Sequence, residues 1–271
     1  MISKVKPGSE STLLDYIGSD YQQCAYLYAN LAKYGLSNIN MSMWTIESDG
    51  SVLAIIQKYF SCMHLYSKSD GWLSDELLNL IDREAPRTMF ASQDNAKKLL
   101  STLINRHYMT TMNVYSLPVE AQAILEIDSS EFVNELQEAK ALDIDDITDF
   151  LMKDEEYRKN YERMTLYDQL TERLDDKYSR YYIIRKNNEI IASVSTKAEH
   201  PLFAVVGGVM VKKDYRGRNI GKCITYDITK ILQAEGKELL SLVSENNIAS
   251  TLMFTQVGYD LVGSIGKLTA L

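Results

Sequence analysis

This chain of 271 residues is short of several things, and each shortage excludes a class of protein. It has three cysteines, Cys24, Cys62 and Cys223, odd in number and far apart, so no disulfide framework is expected. Cys62 and His64 form a single pair with no second pair at ligand spacing, so no metal site is expected. No apolar run approaches the roughly 18 residues of a membrane helix. The start, MISKVKPGSE, lacks the apolar core of a signal peptide. The expected compartment is therefore the cytoplasm, with no membrane partner. Positive charge is outnumbered, 29 lysines and arginines against 37 aspartates and glutamates, and the net charge is −8. That argues against nucleic acid as a partner, since phosphate backbones favour a basic face.

Apolar residues make up 45% of the chain, ample for packed cores, and the length suits two domains. Residues 11–34 read as two short helices. Apolar alternation over 40–47 and 51–59 flanks Ser48-Asp49-Gly50, a strong hairpin signal. A third strand over 60–66, a helix over 73–83, a strand over 88–91, a helix over 95–105 and a strand over 108–115 follow. A linker is expected near 117–127. Beyond it come a strand-like lead over 132–140, helices over 145–153 and 155–174, and a hairpin of 181–185 with 189–196 about Asn187-Asn188. Then come a strand over 203–211, a helix, a strand over 238–243, a helix, and a last strand over 261–268. Both halves read helices, three strands, helix, strand, helix, strand. On element order alone, the first half is expected to be a degenerate copy of the second.

The most informative run is Val211 to Lys222, VKKDYRGRNIGK. The apolar strand 203–211 enters it and an amphipathic helix leaves it, with Ile220, Ile224, Ile228 and Ile231 on one face. Gly217 and Gly221 permit a tight turn and close approach of a ligand to the backbone. Asn219 is among the few other residues that tolerate the left-handed region. Arg216, Arg218 and Lys222 add positive charge. A glycine-rich turn opening a helix presents free N–H groups and the positive end of the helix dipole to phosphate oxygens. The spacing is not that of a P-loop: three residues separate Gly217 from Gly221, and Cys223 stands where a magnesium-binding hydroxyl is needed. It is not a dinucleotide fingerprint either.

The run resembles the acyl-CoA pyrophosphate motif of the GNAT superfamily of N-acyltransferases, Arg/Gln-x-x-Gly-x-Gly/Ala. Arg216, Asn219 and Gly221 occupy its three defining positions, with Asn219 in place of the usual middle glycine. Downstream, Asn247 to Tyr259 looks like the family's asparagine, helix and Gly-aromatic ending, and the match covers about 139–268. The resemblance implies an α/β (α+β) fold: a GNAT-like mixed, mostly antiparallel sheet flanked by helices, here in two tandem GNAT-like domains. These would be a first domain over 1–117 without the cofactor motif and an acyl-CoA-binding catalytic domain over 127–271. It implies acetyl-CoA as co-substrate, no metal, and a small-molecule or peptide amine as acceptor, attacking directly. The sequence carries no signal of oligomeric state. The negative net charge is compatible with a cationic acceptor.

On that resemblance, Val209, Met210 and Val211 would pair with the pantetheine arm. Arg216, Gly217, Arg218, Asn219, Ile220, Gly221 and Lys222 would cradle the pyrophosphate, and Asn247, through a polar contact, and Phe254 would complete the cofactor-binding set. Where many members carry a tyrosine that protonates the departing thiolate, this chain has Phe254, which has no proton to give. Glu199, His200 and Glu245 are the candidate bases. Tyr157, Tyr161 and Tyr167 fall in the segment that lines the acceptor side in relatives; packing at the core edge is their alternative role. Phe254 keeps an alternative open for the whole chain: a CoA-binding regulatory or interaction module without transfer activity.

Overall fold

The computed structural model describes residues 1–124, 132 and 135–271. Residues 125–131, 133 and 134 lie outside the described residues, and with them part of the expected linker, the expected domain start at 127 and part of the 132–140 lead. The described chain falls into two compact units.

Unit 1 comprises Met1–Val114, Ser244–Asn246 and Val262–Leu271. It runs β1 (Ile2–Lys4), α1 (Glu10–Ile17), α2 (Ala25–Tyr34), β2 (Met41–Ser48), β3 (Ser51–Tyr59), β4 (Cys62–Ser67), α3 (Asp75–Glu84), β5 (Thr88–Ser92), α4 (Gln93–Leu103) and into β6 (His107–Leu117). Asp49 and Gly50, at φ 51° and 76°, make the expected hairpin turn between β2 and β3, because type I′ geometry needs positive φ at both positions. The first four strands pair antiparallel, whereas β4 and β5 are parallel and joined through α3. Helix starts follow side-chain chemistry: Ser74 Oγ accepts from the Leu77 N–H at α3, and Ser92 Oγ from the Asn95 N–H at α4. Neighbouring residues of β3 serve opposite faces, as the two-residue strand period dictates. Ile55 packs with Leu13, Ile17, Leu27 and Leu31 of α1 and α2, and Ile56 with Leu77, Leu80 and Leu99 of α3 and α4.

Unit 2 comprises Tyr115–Val243 and Asn247–Leu261. Its elements are β7 (Gln137–Glu138), α5 (Ile144–Leu151), α6 (Glu155–Asn160), α7 (Arg163–Asp175), β8 (Tyr181–Lys186), β9 (Glu189–Glu199), β10 (Phe203–Val211), α8 (Ile220–Ala234), β11 (Glu238–Ser244) and α9 (Ile248–Val257). The pairing repeats that of unit 1: antiparallel from β7 to β10, then β10 parallel to β11 through α8. Asn187 and Asn188 turn the β8–β9 hairpin at φ 50° and 62°. Ile183 packs with Ile147, Phe150, Leu166 and Leu170 of α5 and α7. Ile184, on the other face, packs with Ile224, Ile228, Phe254 and Val257 of α8 and α9. Among the described residues no helix is long and apolar enough to cross a membrane.

One expected helix is two. The run 155–174 breaks at Glu162, which is extended at φ −84° and ψ 148°. The break re-aims the chain so that Arg163, opening α7, donates to Asp149 at 2.7 Å and Asp145 at 2.6 Å on α5. It also turns Leu166 and Leu170 into the shared core.

The last strand, β12 (Asp260–Ala270), gives Val262–Leu271 to unit 1. It pairs antiparallel with β5 from Ile265 opposite Ser92 to Thr269 opposite Thr88. A single cut of the chain at 117–127 therefore does not reproduce the compact units. The strand order in unit 1 is β1-β2-β3-β4-β5-β12-β6. In unit 2, β11 lies beside the end of β6, where Ser116 Oγ donates to Glu238 Oε1 at 2.6 Å. Burial explains the placement of β12: Leu268 is fully enclosed in the α3–α4 core. At Gly266 the backbone comes so near α4 that a Cβ would stand 2.2 Å from Ala96 Cβ. Gly266→Ala should therefore cost about 1–3 kcal/mol, the usual penalty of overpacking, read as a lower denaturation midpoint. An unchanged midpoint would contradict this packing of β12.

Candidate functional site: an opened strand pair and the turn beyond it

β10 and β11 pair at three positions, Phe203 with Glu238, Ala204 with Leu239 and Val205 with Leu240. Beyond these they part, although β10 runs on to Val211 and β11 to Ser244. The cause lies on the other edge of β10. Its register against β9 shifts between Val205 and Val206 and again between Gly207 and Met210. Such bulges bend a strand and increase its twist. Gly208 sits at φ 63°, and a Cβ there would stand 2.6 Å from Ser195 Oγ and 2.9 Å from Lys197 Nζ. The hydroxyls of Ser193 and Ser195 donate to the carbonyls of Gly208 and Gly207 at 3.1 and 3.2 Å, tying down the distorted backbone. After the bulge Val209 and Val211 pack toward the α8–α9 core, while Met210 packs toward the α5–α7 core.

The glycine-rich turn follows at the open end of this pair. Residues Lys213–Tyr215 make one tight helical turn. Arg216 is extended and its Nε donates to the Val211 carbonyl at 3.0 Å, folding the guanidinium back on the end of β10. Gly217, at φ 77°, reverses the chain. Asn219 is left-handed at φ 58° and starts α8, and no side chain caps the helix. Arg218 lies over the Tyr215 ring at 5.3 Å. Residues 216–219 are exposed, and Ile220 is buried as the anchor of the helix. The first turn of α8 thus offers backbone donors and the positive dipole end among basic side chains. A Cβ on Gly221 would make only ordinary contacts, 3.4 Å to Met253 Sδ and 3.7 Å to Val209 Cγ1 and Val211 Cγ2.

Asn247 and Phe254 both have structural employment. Asn247 caps α9, its Oδ1 accepting from the Ser250 N–H at 3.0 Å. Phe254 is buried in the α8–α9 core, edge-to-face with Tyr259 at 5.1 Å. The Tyr259 hydroxyl lies 2.9 Å from Thr229 Oγ1 in the same core, where burial pushes the phenol up. It is held away from proton transfer.

The candidate bases separate by position. Glu199 pairs in register with Ala204, at the closed end of the parallel pair, whereas the turn follows Val211. Seven residue steps of strand separate them, about 23 Å. Glu199 accepts from Arg180 at 2.8 and 2.9 Å, Lys237 at 2.6 Å and Thr196 Oγ1 at 2.8 Å. Burial raises its carboxyl, but the bonds from Arg180 and Lys237 outweigh that and hold it below the usual range. A carboxylate so saturated is a structural anchor. His200 lies at the same end, stacked on Phe203 at 5.3 Å, with Nδ1 accepting from the Leu202 N–H. Burial and the Lys237 charge lower its pKa. Glu245 is exposed and belongs to unit 1, where its N–H bonds the Thr111 carbonyl at 3.0 Å.

Sequence reading passed over Gly208, Ser195 and Lys197. The signal was present: two glycines inside an apolar strand run mark a bulge or a close approach. Cys62 and His64 are engaged locally, Cys62 Sγ 3.1 Å from Thr88 Oγ1 and His64 stacked on Phe90 at 5.2 Å.

Two measurements check this geometry. Gly208→Ala should destabilise by about 1–3 kcal/mol through left-handed strain and the clash with Ser195; a melting curve identical to wild type would refute the bulge. The second concerns acid. The Glu235 carboxyl, held by Arg180 and then Lys237, is pushed down to about 2 from the usual 4.5. A depressed acid stabilises above its unfolded pKa and loses that contribution as pH falls through the folded value. Glu235→Gln should therefore melt below wild type at pH 7, and the gap should close between pH 4.5 and about 2. A gap constant across that window would remove the ion pair from the stability of the fold.

Against known proteins, the profile of the acetyltransferase (GNAT) family matches residues 144–259. Among curated proteins none matches the chain in sequence. In fold the chain is similar to a Drosophila melanogaster protein, with a TM-score of 0.68, 11% identity, and 100% of this chain and 98% of that one covered. It is similar to an acetyltransferase from the GNAT family of Colwellia psychrerythraea, with a TM-score of 0.59, 15% identity and full coverage of both chains. It is also similar to a tandem GNAT protein from the clavulanic acid biosynthesis pathway, with a TM-score of 0.56, 12% identity, and 100% of this chain and 98% of that one covered. Identities this low speak for the fold alone: mixed, mostly antiparallel sheet flanked by helices, in two GNAT-like units. By its match to the family's profile, the segment 144–259 is similar to the acetyltransferase (GNAT) family, whose chemistry is acyl transfer from acyl-CoA.

Proposed function

We propose that the protein is a cytoplasmic N-acetyltransferase that moves an acetyl group from acetyl-CoA to a primary amine by direct attack. The observation that carries this reading is the junction of an opened strand edge with an uncapped, positively charged helix start. The N–H groups of the first turn of α8, with Arg216, Arg218 and Lys222, suit a pyrophosphate. The edge of β10 from Val209 to Val211, which β11 has left, has ladder positions to offer an amide-bearing arm. Backbone donors near the Gly208 bulge would meet the thioester carbonyl and stabilise the oxyanion as it forms. The amine nitrogen bonds to the acyl carbon, the carbon–sulfur bond breaks, and the amine proton passes to water. Phe254 and Tyr259 are both confined to the core, so CoA departs as the thiolate, tolerable for a thiol of pKa about 8.5. Glu199, committed to Arg180 and Lys237, has no part in the proton transfer.

Unit 1 supports a single acyl-CoA site per chain. At the corresponding junction Ser74 claims an N–H of the α3 start, and Asp70, Asp75 and Glu76 line the cleft beside it. Carboxylates there repel phosphate. The second reading, a CoA-binding module without transfer, draws on Phe254 and on the lack of an evident base among the described residues.

Acetyl-CoA at a hundred times its Kd should stabilise the protein by about 2.7 kcal/mol, seen as a raised melting temperature. Gly221→Ala should keep the wild-type melt without ligand, because its methyl meets only ordinary contacts. Gly221→Trp, filling the space before Val209 and Val211, should abolish the ligand-induced shift. No shift in wild type would sink the proposal. A shift without thiol release against a panel of primary amines would select the binding module.

A further inference from the structure

β9 is buried for most of its length, and most of what it buries is apolar: Ile190, Ile191, Ala192, Val194 and Ala198. Ser193 and Ser195 interrupt that run, 1% and 0% exposed. A hydroxyl is costly to bury unless it is bonded. These two are bonded to one short stretch of β10: Ser195 Oγ donates to the Gly207 carbonyl at 3.2 Å, and Ser193 Oγ to the Gly208 carbonyl at 3.1 Å. Enclosed as they are, neither serine can serve as a nucleophile. Their effect is on the backbone they hold.

That effect follows from the geometry of the peptide group. A trans peptide is planar, so its N–H points opposite its C=O. In a regular strand successive carbonyls point alternately to the two edges. Here two successive carbonyls, of Gly207 and Gly208, are both held by side chains of β9. The N–H groups of Gly208 and Val209 share those two peptide planes, so both are turned away from β9. That is the side on which β11 has parted from β10. The register agrees: Gly207 stands opposite Ser195 and Met210 opposite Ser193, so Gly208 and Val209 together fill the place of one residue. Gly208, at φ 63°, supplies the bend between the two planes. Successive N–H groups about such a left-handed residue make a concavity that suits negative charge.

We infer that Ser193 and Ser195 are positioning residues for acyl transfer, and that what they position is a pair of donors, the N–H groups of Gly208 and Val209, for the oxygen of the thioester. This rests on the acetyl-transfer reading of the site. As the amine nitrogen bonds to the acyl carbon, the carbonyl electron pair moves onto that oxygen. It returns when the carbon–sulfur bond breaks, the thiolate leaves and the amine proton passes to water. Two donors aimed at one point stabilise the oxyanion more than the ground-state carbonyl, which is what lowers the barrier. Without its serine hydroxyl, either carbonyl is released toward the ordinary alternation of a strand and carries one donor away with it.

The test is difference infrared spectroscopy of acetyl-CoA, carbon-13 labelled at the acetyl carbonyl and bound to the whole protein, which needs no acceptor. Donors to the oxygen weaken the C=O bond and lower its stretching frequency. That frequency should be lowest in wild type, higher in Ser193→Ala and in Ser195→Ala, and highest in the double variant. All of these proteins should keep the melting shift induced by acetyl-CoA, because the pyrophosphate turn is untouched. With a primary amine that wild type accepts, followed by thiol release, each single variant should lose about 10- to 100-fold in kcat while KM for acetyl-CoA holds. Where no amine is accepted, the infrared shift decides alone. A carbonyl frequency that the substitutions leave unchanged overturns the assignment. So does an unchanged kcat beside a lowered melting temperature, or the loss of the melting shift in the single variants, since either makes the serines supports of the fold and nothing more. Failure of wild type to bind acetyl-CoA would instead strike the acetyltransferase reading itself.

Discussion

The bulge at Gly207–Met210 is the constraint on which unit 2 depends. A regular β10 would pair with β11 along its whole length, as adjacent parallel strands do, and the apolar run that forms it would otherwise favour that. The two register shifts against β9 turn β10 out of line after Val205. Gly208 makes the second shift possible, because it takes the left-handed φ of 63° without strain and leaves room for the Ser195 and Lys197 side chains. The strand therefore arrives at the glycine-rich turn already separated from its neighbour, and α8 begins at the mouth of the gap. Helix start, basic side chains and open strand edge meet because of one backbone irregularity eleven residues before Asn219, counting from Gly208.

The opposite end of the same strand pair is pinned. Arg180 before β8, Glu199 at the end of β9, and Glu235 and Lys237 before β11 form one ion-pair network. Isolated exposed pairs contribute little, typically under about 1 kcal/mol. This network differs because Glu199, Arg180 and Lys237 are largely buried, and removing one member leaves the others as unpaired charges. Pinning at one end and bending at the other make the gap a fixed wedge.

Legibility in the sequence followed locality. The hairpins at Asp49-Gly50 and Asn187-Asn188, the turn at 216–221 and the strand 203–211 were readable because neighbouring residues decide them. The break at Glu162 was not, because it serves Arg163 in reaching Asp145 and Asp149, 18 and 14 residues back. Glu199 read as a candidate base for the same reason: its partners Arg180 and Lys237 stand 19 and 38 residues away. Phe254 was legible as an apolar replacement but not as a core residue, since its enclosure depends on how α9 lies on α8. The bulge itself was written in Gly207-Gly208, but glycines in a strand announce an irregularity without saying which way it bends.

The assignment of β12 to unit 1 and of the end of β6 to unit 2 has a consequence for the gene. Neither half of the coding sequence specifies all the strands of its own unit. A message cut between the halves would encode neither unit complete, and during synthesis the first unit must wait for Val262–Leu271 before its sheet can be finished. Selection on the two units is therefore not separable: a mutation in Val262–Leu271, far along the chain from the first helix, is a mutation in the first unit.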